Sequence, residues 1–235
     1  PNVQFFGAKT LYRKVQRTAQ GYEPAGAVDL QSVVPHIQKC LESSAMTNPS
    51  KQQLVLALSA IAVALCTTTW RSAVNDLLAL ATVQPIAKFA WCALLAIPEQ
   101  LSAVVHGHLR TNGRTEVLLS ASEPLLTAAA QHAPAAADEA PTATIADSEF
   151  SLAMQTLTQW SKVMGLQLAA HGGFATRLVG LLESPVASSE VVIEVVLEVL
   201  RSSSGAFAIY QPGQRPPPAL EGLLAAITRI MQAQL

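Results

Sequence analysis

The run LVLALSAIAVALC at residues 54–66 is the sequence feature that most restricts the fold. It has no charged residue, and its apolar side chains cover every side of a helical projection, so it predicts a helix without a solvent-facing stripe. A helix that crosses a bilayer needs about 20 apolar residues, and this run is only 13 residues long. We therefore expect no membrane insertion and a buried helix over residues 51–67, covered by neighbouring helices on both sides.

A helix predicted over residues 3–17 has two distinct faces at about 100° per residue. Its apolar arc comprises Phe5, Ala8, Leu11, Tyr12 and Val15. A cationic row on the other side comprises Lys9, Arg13 and Arg17, spaced by four residues. One face must be covered by protein, and because the sequence starts almost on this helix, we expect a preceding helix in a longer protein to contribute to that cover.

The composition favours an all-α protein without a strong charge field. Half of the residues are apolar but only 5% are aromatic, which favours helices that meet through small residues over a β core. The net charge of −1 provides no basic field that would hold nucleic acid, so we expect no direct nucleic-acid binding. Cys40, Cys66 and Cys92 form no CxxC pair, which indicates reduced thiols and no zinc knuckle.

Turn signals and apolar spacing predict further helices along the chain, over residues 28–44, 70–80, 86–101, 114–132, 148–166, 174–182, 190–202 and 219–235. Segments 133–147 and 203–218 contain prolines and few large apolar residues, so we expect both to be flexible loops. Second helices of successive pairs begin at intervals of about 46 residues. Intervals of about 40 to 47 residues are typical of HEAT and armadillo arrays.

The run VVIEVVLEVL at residues 191–200 is β-branched enough to resemble a strand. However, Glu190, Glu194 and Glu198 recur every four residues, which is a helical spacing and not a strand spacing. We therefore predict a helix here.

Several motifs, in this order, resemble the N-terminal third of the importin-β superfamily, with the branch that contains transportin-SR and importin-thirteen as the best likeness. They are FFGAKTLYRKVQR at residues 5–17, Trp70-Arg71, IPEQL at residues 97–101, NGRTEVLL at residues 112–119, and Leu157, Trp160 and Gly165 followed by Phe174. The family has a second acid where this chain has Gln100, a higher charge content, and no equivalent of the two proposed loops.

This resemblance implies an all-α, right-handed α-solenoid of antiparallel HEAT helix pairs, with residues 1–235 as the first repeats of a longer protein. It implies a nuclear transport receptor that shuttles between cytoplasm and nucleus. The implied partners are the GTPase Ran in its GTP form, FG nucleoporins and protein cargo, with nucleic-acid-binding proteins as a candidate class. Two rivals remain open at this point, namely a HEAT scaffold or adaptor outside nuclear transport and a helical-bundle enzyme.

No catalytic or cofactor-binding pattern is present, so we expect neither an enzyme nor a cofactor. His106 and His108 have no acid placed to orient them, and neither GxxxxGK[ST] nor GxGxxG occurs. The candidate Ran-binding residues lie on second helices, which line the concave face of a HEAT solenoid. They are Lys9, Arg13, Arg17, Lys51 and Lys88. The alternative is that these cations only keep the helices soluble.

Overall fold

The computed structural model describes residues 2–19, 29–105, 112–131, 149–170, 173–183, 190–207 and 218–233. Within these segments all regular secondary structure is helical, which confirms the all-α class. The helices of the described segments are α1 (Asn2–Ala19), α2 (Leu30–Glu42), α3 (Asn48–Leu65), α4 (Ala73–Leu80), α5 (Ala87–Val105), α6 (Asn112–Gln131), α7 (Glu149–Ala170), α8 (Phe174–Leu182), α9 (Glu190–Phe207) and α10 (Pro218–Ala233). The chain divides into two compact units, unit 1 at Pro1–Leu118 and unit 2 at Leu119–Leu235.

In unit 1, α3 lies between α1 and α5, while α2 packs on α3 and α4 packs on α3 and α5. The buried apolar residues of α3 occur on all sides of this helix. They are Leu54, Val55, Ala57, Leu58, Ala60, Ile61, Ala62 and Val63. The predicted burial of this helix on both sides is therefore confirmed. Lys51 and Ser59 contact Phe89 and Ala93, respectively, so α3 and α5 run in the same direction.

Helix α3 begins at Asn48, three residues before its predicted start at residue 51. Pro49 occupies the first turn, where its missing amide hydrogen removes no helical hydrogen bond. Thr47 is the N-cap residue, and its hydroxyl lies 2.8 Å from the buried hydroxyl of Ser50. The helix therefore begins on residues that the apolar pattern alone does not mark.

Prolines within helices do not split them. Pro35 lies within α2, beyond the first turn, and α2 continues to Glu42. Asp29 caps α2 by accepting hydrogen bonds from the backbone amides of Gln31 and Ser32. Pro98 lies within α5, which extends to Val105 and not to the predicted end at residue 101.

Helix α4 starts three residues later than predicted because Trp70 belongs to the preceding turn. The Trp70 indole nitrogen donates a hydrogen bond of 2.6 Å to the Asp76 carboxylate, which also accepts one of 2.9 Å from the Ser72 hydroxyl. The indole is buried, as are those of Trp91 and Trp160. All three tryptophans therefore belong to the core.

In unit 2, α7 packs against α9 and α8 packs against α10. Ion pairs also join α6 to α8 and the C-cap residue of α8 to α10, through Arg177 with Glu123 at 2.9 Å and Arg229 with Glu183 at 2.6 Å. These groups are partly exposed, so each pair is worth only about 0–1 kcal/mol. In both units, therefore, helices that are separated by one other helix in the chain pack side by side.

The β-branched run forms α9, as its four-residue glutamate spacing predicts. Val192, Val195, Val196 and Val199 are buried at helical intervals. The helix continues to Phe207, so the first five residues of the predicted loop at 203–218 are helical, and Pro218 begins α10. Residues 208–217 and the predicted loop at 133–147 lie outside the described segments.

The burial of α3 predicts a sharp difference between two identical substitutions on the same helix. Ala57 is fully buried and Ala64 is partly exposed. Ala57→Leu should overpack the core and lower the free energy of unfolding by about 1–3 kcal/mol. Ala64→Leu should change it by less than about 0.5 kcal/mol, as surface substitutions usually do. Urea unfolding followed by circular dichroism measures both, and equal effects would contradict the two-sided cover of α3.

Candidate partner-binding surface

Helix α1 turns its predicted apolar arc inwards. Ala8 and Val15 are buried, and Phe5, Leu11 and Tyr12 are partly buried. The main neighbour of this helix is α3. The predicted packing of the apolar arc against protein is therefore present within unit 1.

A polar contact with α5 fixes the rotation of α1. The Tyr12 hydroxyl accepts hydrogen bonds of 3.2 Å from the Gln100 amide and 3.3 Å from the Gln16 amide. Gln100 is only 3% exposed, so an unpaired polar group there would be costly. Gln100 is thus a neutral buried partner for a tyrosine. Sequence reasoning missed this role, although an amide within an apolar helix was a usable signal.

The cationic row is only partly presented to solvent. Arg13 and Arg17 are exposed, whereas Lys9 lies on the flank of the helix with its ammonium 5.7 Å from the centre of the Phe5 ring. Such a cation–π contact contributes about 0.5–1 kcal/mol at an exposed site. Arg13 and Arg17 are therefore the members of the row best placed to meet a partner.

The remaining two candidate residues, Lys51 and Lys88, lie on α3 and α5, respectively. The Lys51 ammonium lies 4.9 Å from the centre of the Phe89 ring, and Lys88 is the exposed residue next to Phe89. The structure therefore associates Lys51 with the start of α5. Lys51 makes this contact with α5, and Lys88 lies on α5 beside Phe89, whereas Lys9, Arg13 and Arg17 lie on α1.

The net positive charge of unit 1 equals the charge of a single helix, α1. Unit 1 has ten Lys and Arg against six Asp and Glu, a formal charge of +4. Helix α1 has four cations and no acid, so the rest of unit 1 has six of each sign. The four cations of α1 therefore account for the whole net charge of unit 1, and they favour an anionic partner.

Burial raises the pKa of the Cys92 thiol above its ordinary value, and the nearby Lys88 ammonium opposes part of this rise. Both effects follow from the position of Cys92 four residues after Lys88 on α5. A thiol held protonated in this way is a poor nucleophile. Lys88 therefore has an interaction within its own helix besides any contact with a partner.

The described segments contain no arrangement of three or more His, Cys, Asp or Glu side chains able to hold a metal ion. His106 and His108 lie outside those segments. No described helix combines the length and apolarity needed to cross a membrane. The features that remain for functional interpretation are the charged helix surfaces of unit 1.

Comparison with known proteins returns no match, whether to protein-family models, to curated proteins or to solved structures. The function is therefore proposed from the residues, their geometry and the resemblance of the quoted motifs.

The electrostatic effect of Lys88 on the pKa of Cys92 predicts how fast iodoacetamide alkylates this thiol. Lys88→Gln removes the cation that favours the thiolate, so the pKa of Cys92 should rise further and alkylation at mildly alkaline pH should slow several-fold. Lys51→Gln is the matched control and should leave the rate unchanged. Mass spectrometry with residue-level quantification separates Cys92 from Cys40 and Cys66. Equal rates in wild type and Lys88→Gln would show that the ammonium does not act on this thiol.

Proposed function

We propose that this chain forms the N-terminal HEAT repeats of a nuclear transport receptor of the importin-β superfamily. In this proposal the helix pairs build a right-handed α-solenoid that shuttles between cytoplasm and nucleus with protein cargo, and docks on FG nucleoporins. Its N-terminal repeats bind Ran in the GTP form. The observation that most supports the proposal is the concentration of positive charge on α1, which has four cations and no acid, because it provides an anionic partner with a defined place to bind.

The packing order of the helices supports a solenoid of helix pairs. Helix α3 packs between α1 and α5 in unit 1, and α7 packs with α9 as α8 does with α10 in unit 2. Stacked helical hairpins produce this pattern because each pair contacts the next pair along the chain. By the sequence assignment, α1, α3 and α5 are second helices, and the five candidate cations lie on these three helices. Second helices line the concave face of HEAT arrays, so the proposal places these cations there.

The chemistry of α1 suits the recognition of carboxylates. Arg13 and Arg17 are four residues apart, which separates their Cβ atoms by about 6 Å along one face of the helix. Each guanidinium can bind a carboxylate through two parallel hydrogen bonds. A GTPase surface with two acids at a similar spacing would therefore pair with both arginines at once.

Switching would act through the relative affinities of Ran and cargo for different curvatures of the solenoid. A ligand shifts such an equilibrium only to the extent that it binds one curvature better than the other. Small side chains such as Ala57, Ala60 and Ala62 form much of the α3 packing surface, and they permit small shifts between helices without large rearrangements of side chains. In the proposal, this is how Ran·GTP changes cargo affinity.

Titration calorimetry with purified Ran tests the proposal. We expect binding to Ran·GTP and much weaker binding to Ran·GDP. Arg13→Ala and Arg17→Ala should each weaken Ran·GTP binding by about 2–5 kcal/mol, because each leaves a desolvated carboxylate unpaired. The affinity should also fall as salt is added.

Lys39→Ala is the matched control, since Lys39 is an exposed cation of unit 1 on α2, a helix outside the proposed surface. It should change binding by no more than about 0.2–1 kcal/mol. Equal affinity for both nucleotide states of Ran would favour a scaffold outside nuclear transport. Binding that is indifferent to both arginine substitutions would reject the proposed surface.

A further inference from the structure

Helix α5 lacks one of its backbone hydrogen bonds at Pro98. Proline has no backbone N–H, so residue 98 cannot donate the helical hydrogen bond to the carbonyl of Leu94, four residues earlier. A proline in a helix interior is one of the few causes of a sharp helix bend. The helix nevertheless continues on both sides, from Ala87 to Val105. Pro98 therefore divides α5 into an N-terminal part, residues 87–97, and a C-terminal part, residues 98–105.

The N-terminal part of α5 is held by α3. The Ser59 hydroxyl donates a hydrogen bond of 2.9 Å to the carbonyl oxygen of Ala93. The Lys51 ammonium lies 4.9 Å from the centre of the Phe89 ring. Both contacts reach residues that precede Pro98, so they hold the N-terminal part directly.

The C-terminal part of α5 is held by a different helix, α1. Gln100, two residues after Pro98, donates a hydrogen bond of 3.2 Å to the Tyr12 hydroxyl. The same hydroxyl accepts a hydrogen bond of 3.3 Å from Gln16 on α1, and Tyr12 is only partly buried. If Gln100 withdraws, Tyr12 keeps Gln16 as a partner and water can reach it. The bond between the two helices can therefore open without leaving a buried polar group on α1 unpaired.

We propose that α5 is a hinge helix that bends at Pro98 between two arrangements of unit 1. In the first, the hydrogen bond between Tyr12 and Gln100 holds the C-terminal part against α1. In the second, the C-terminal part turns away from α1, and water replaces Tyr12 as the partner of Gln100. The N-terminal part keeps its contacts with α3 in both. Such hinges concentrate a movement in a few residues between parts that stay rigid.

This inference goes beyond the proposed function because it identifies which joint of unit 1 moves, whether or not Ran binds. A proline within a helix does not by itself make a hinge, since Pro35 also lies within α2, which packs against α3. In α5, the side-chain contacts before and after the proline reach two different helices, α3 and α1. The missing hydrogen bond lies between these two contacts, where bending changes one of them and spares the other.

Methyl relaxation dispersion by NMR on the full chain tests the hinge, because it detects exchange on the microsecond-to-millisecond timescale of hinge motions. The probes are the buried side chains of Ile97 and Leu101, on either side of Pro98. The reference is Ile61, a fully buried residue of α3. We expect exchange at Ile97 and Leu101 with one common rate, and none at Ile61.

Pro98→Ala should abolish the exchange at both probes. Alanine is the best helix former and supplies the N–H that Pro98 lacks, so the two parts of α5 should behave as one rigid helix. The matched control is Pro35→Ala, which makes the same change within α2. That control should leave the exchange at Ile97 and Leu101 unchanged.

Tyr12→Phe should increase the population of the second arrangement by about two- to tenfold, since it removes the acceptor of the Gln100 hydrogen bond and keeps the aromatic ring. The matched control is Gln16→Met. It removes the other donor to the same hydroxyl, and that donor lies on α1 itself. The populations in this control should equal those of wild type.

Three results would overturn the inference. The first is absence of exchange at Ile97 and Leu101. The second is exchange that survives Pro98→Ala, or that Pro35→Ala abolishes equally. The third is an equal change of the populations in Tyr12→Phe and Gln16→Met, or no change in Tyr12→Phe. Ran takes no part in these measurements, so their failure and the failure of the Ran titration are separate outcomes.

Discussion

Burial of α3 on all sides is the constraint on which unit 1 depends. An apolar helix without a polar stripe has no stable exposed orientation, so it requires neighbours, and α1, α2, α4 and α5 all pack against it. Its small residues then allow close approach, and the Ser59 hydroxyl lies 2.9 Å from the carbonyl oxygen of Ala93 on α5. The position of α1, and with it the position of the cations, follows from the need to cover this helix.

Helix α1 can present its cations to solvent because its apolar arc faces the rest of unit 1. Ala8 and Val15 are buried, and the partly buried Tyr12 reaches Gln100 on α5, so α1 is held both by apolar contact and by a directional hydrogen bond. A helix held in only one of these ways would rotate more freely. The fixed rotation turns Arg13 and Arg17 towards solvent together.

Helix type and core membership could be predicted from the sequence, but helix ends and the rotation of α1 could not. The all-round apolar pattern of α3 and the glutamate spacing of α9 depend on local periodicity, which a sequence displays directly. The start of α4 depends on the Asp76 contact with Trp70, and the end of α5 on how a helix tolerates Pro98. The rotation of α1 depends on residues 88 positions apart, Tyr12 and Gln100. For that reason the predicted row included Lys9, which lies on the flank.

The amide at Gln100 has a consequence for how the α1–α5 contact responds to pH. A glutamate in its place would be a buried acid beside a phenol, and its protonation would make the joint between the helices respond to acidity. An amide has no proton to gain or lose in the physiological range. Gln100 therefore donates its hydrogen bond to Tyr12 without any change in its own protonation state, and it holds α1 against α5 through a group whose charge does not vary with pH.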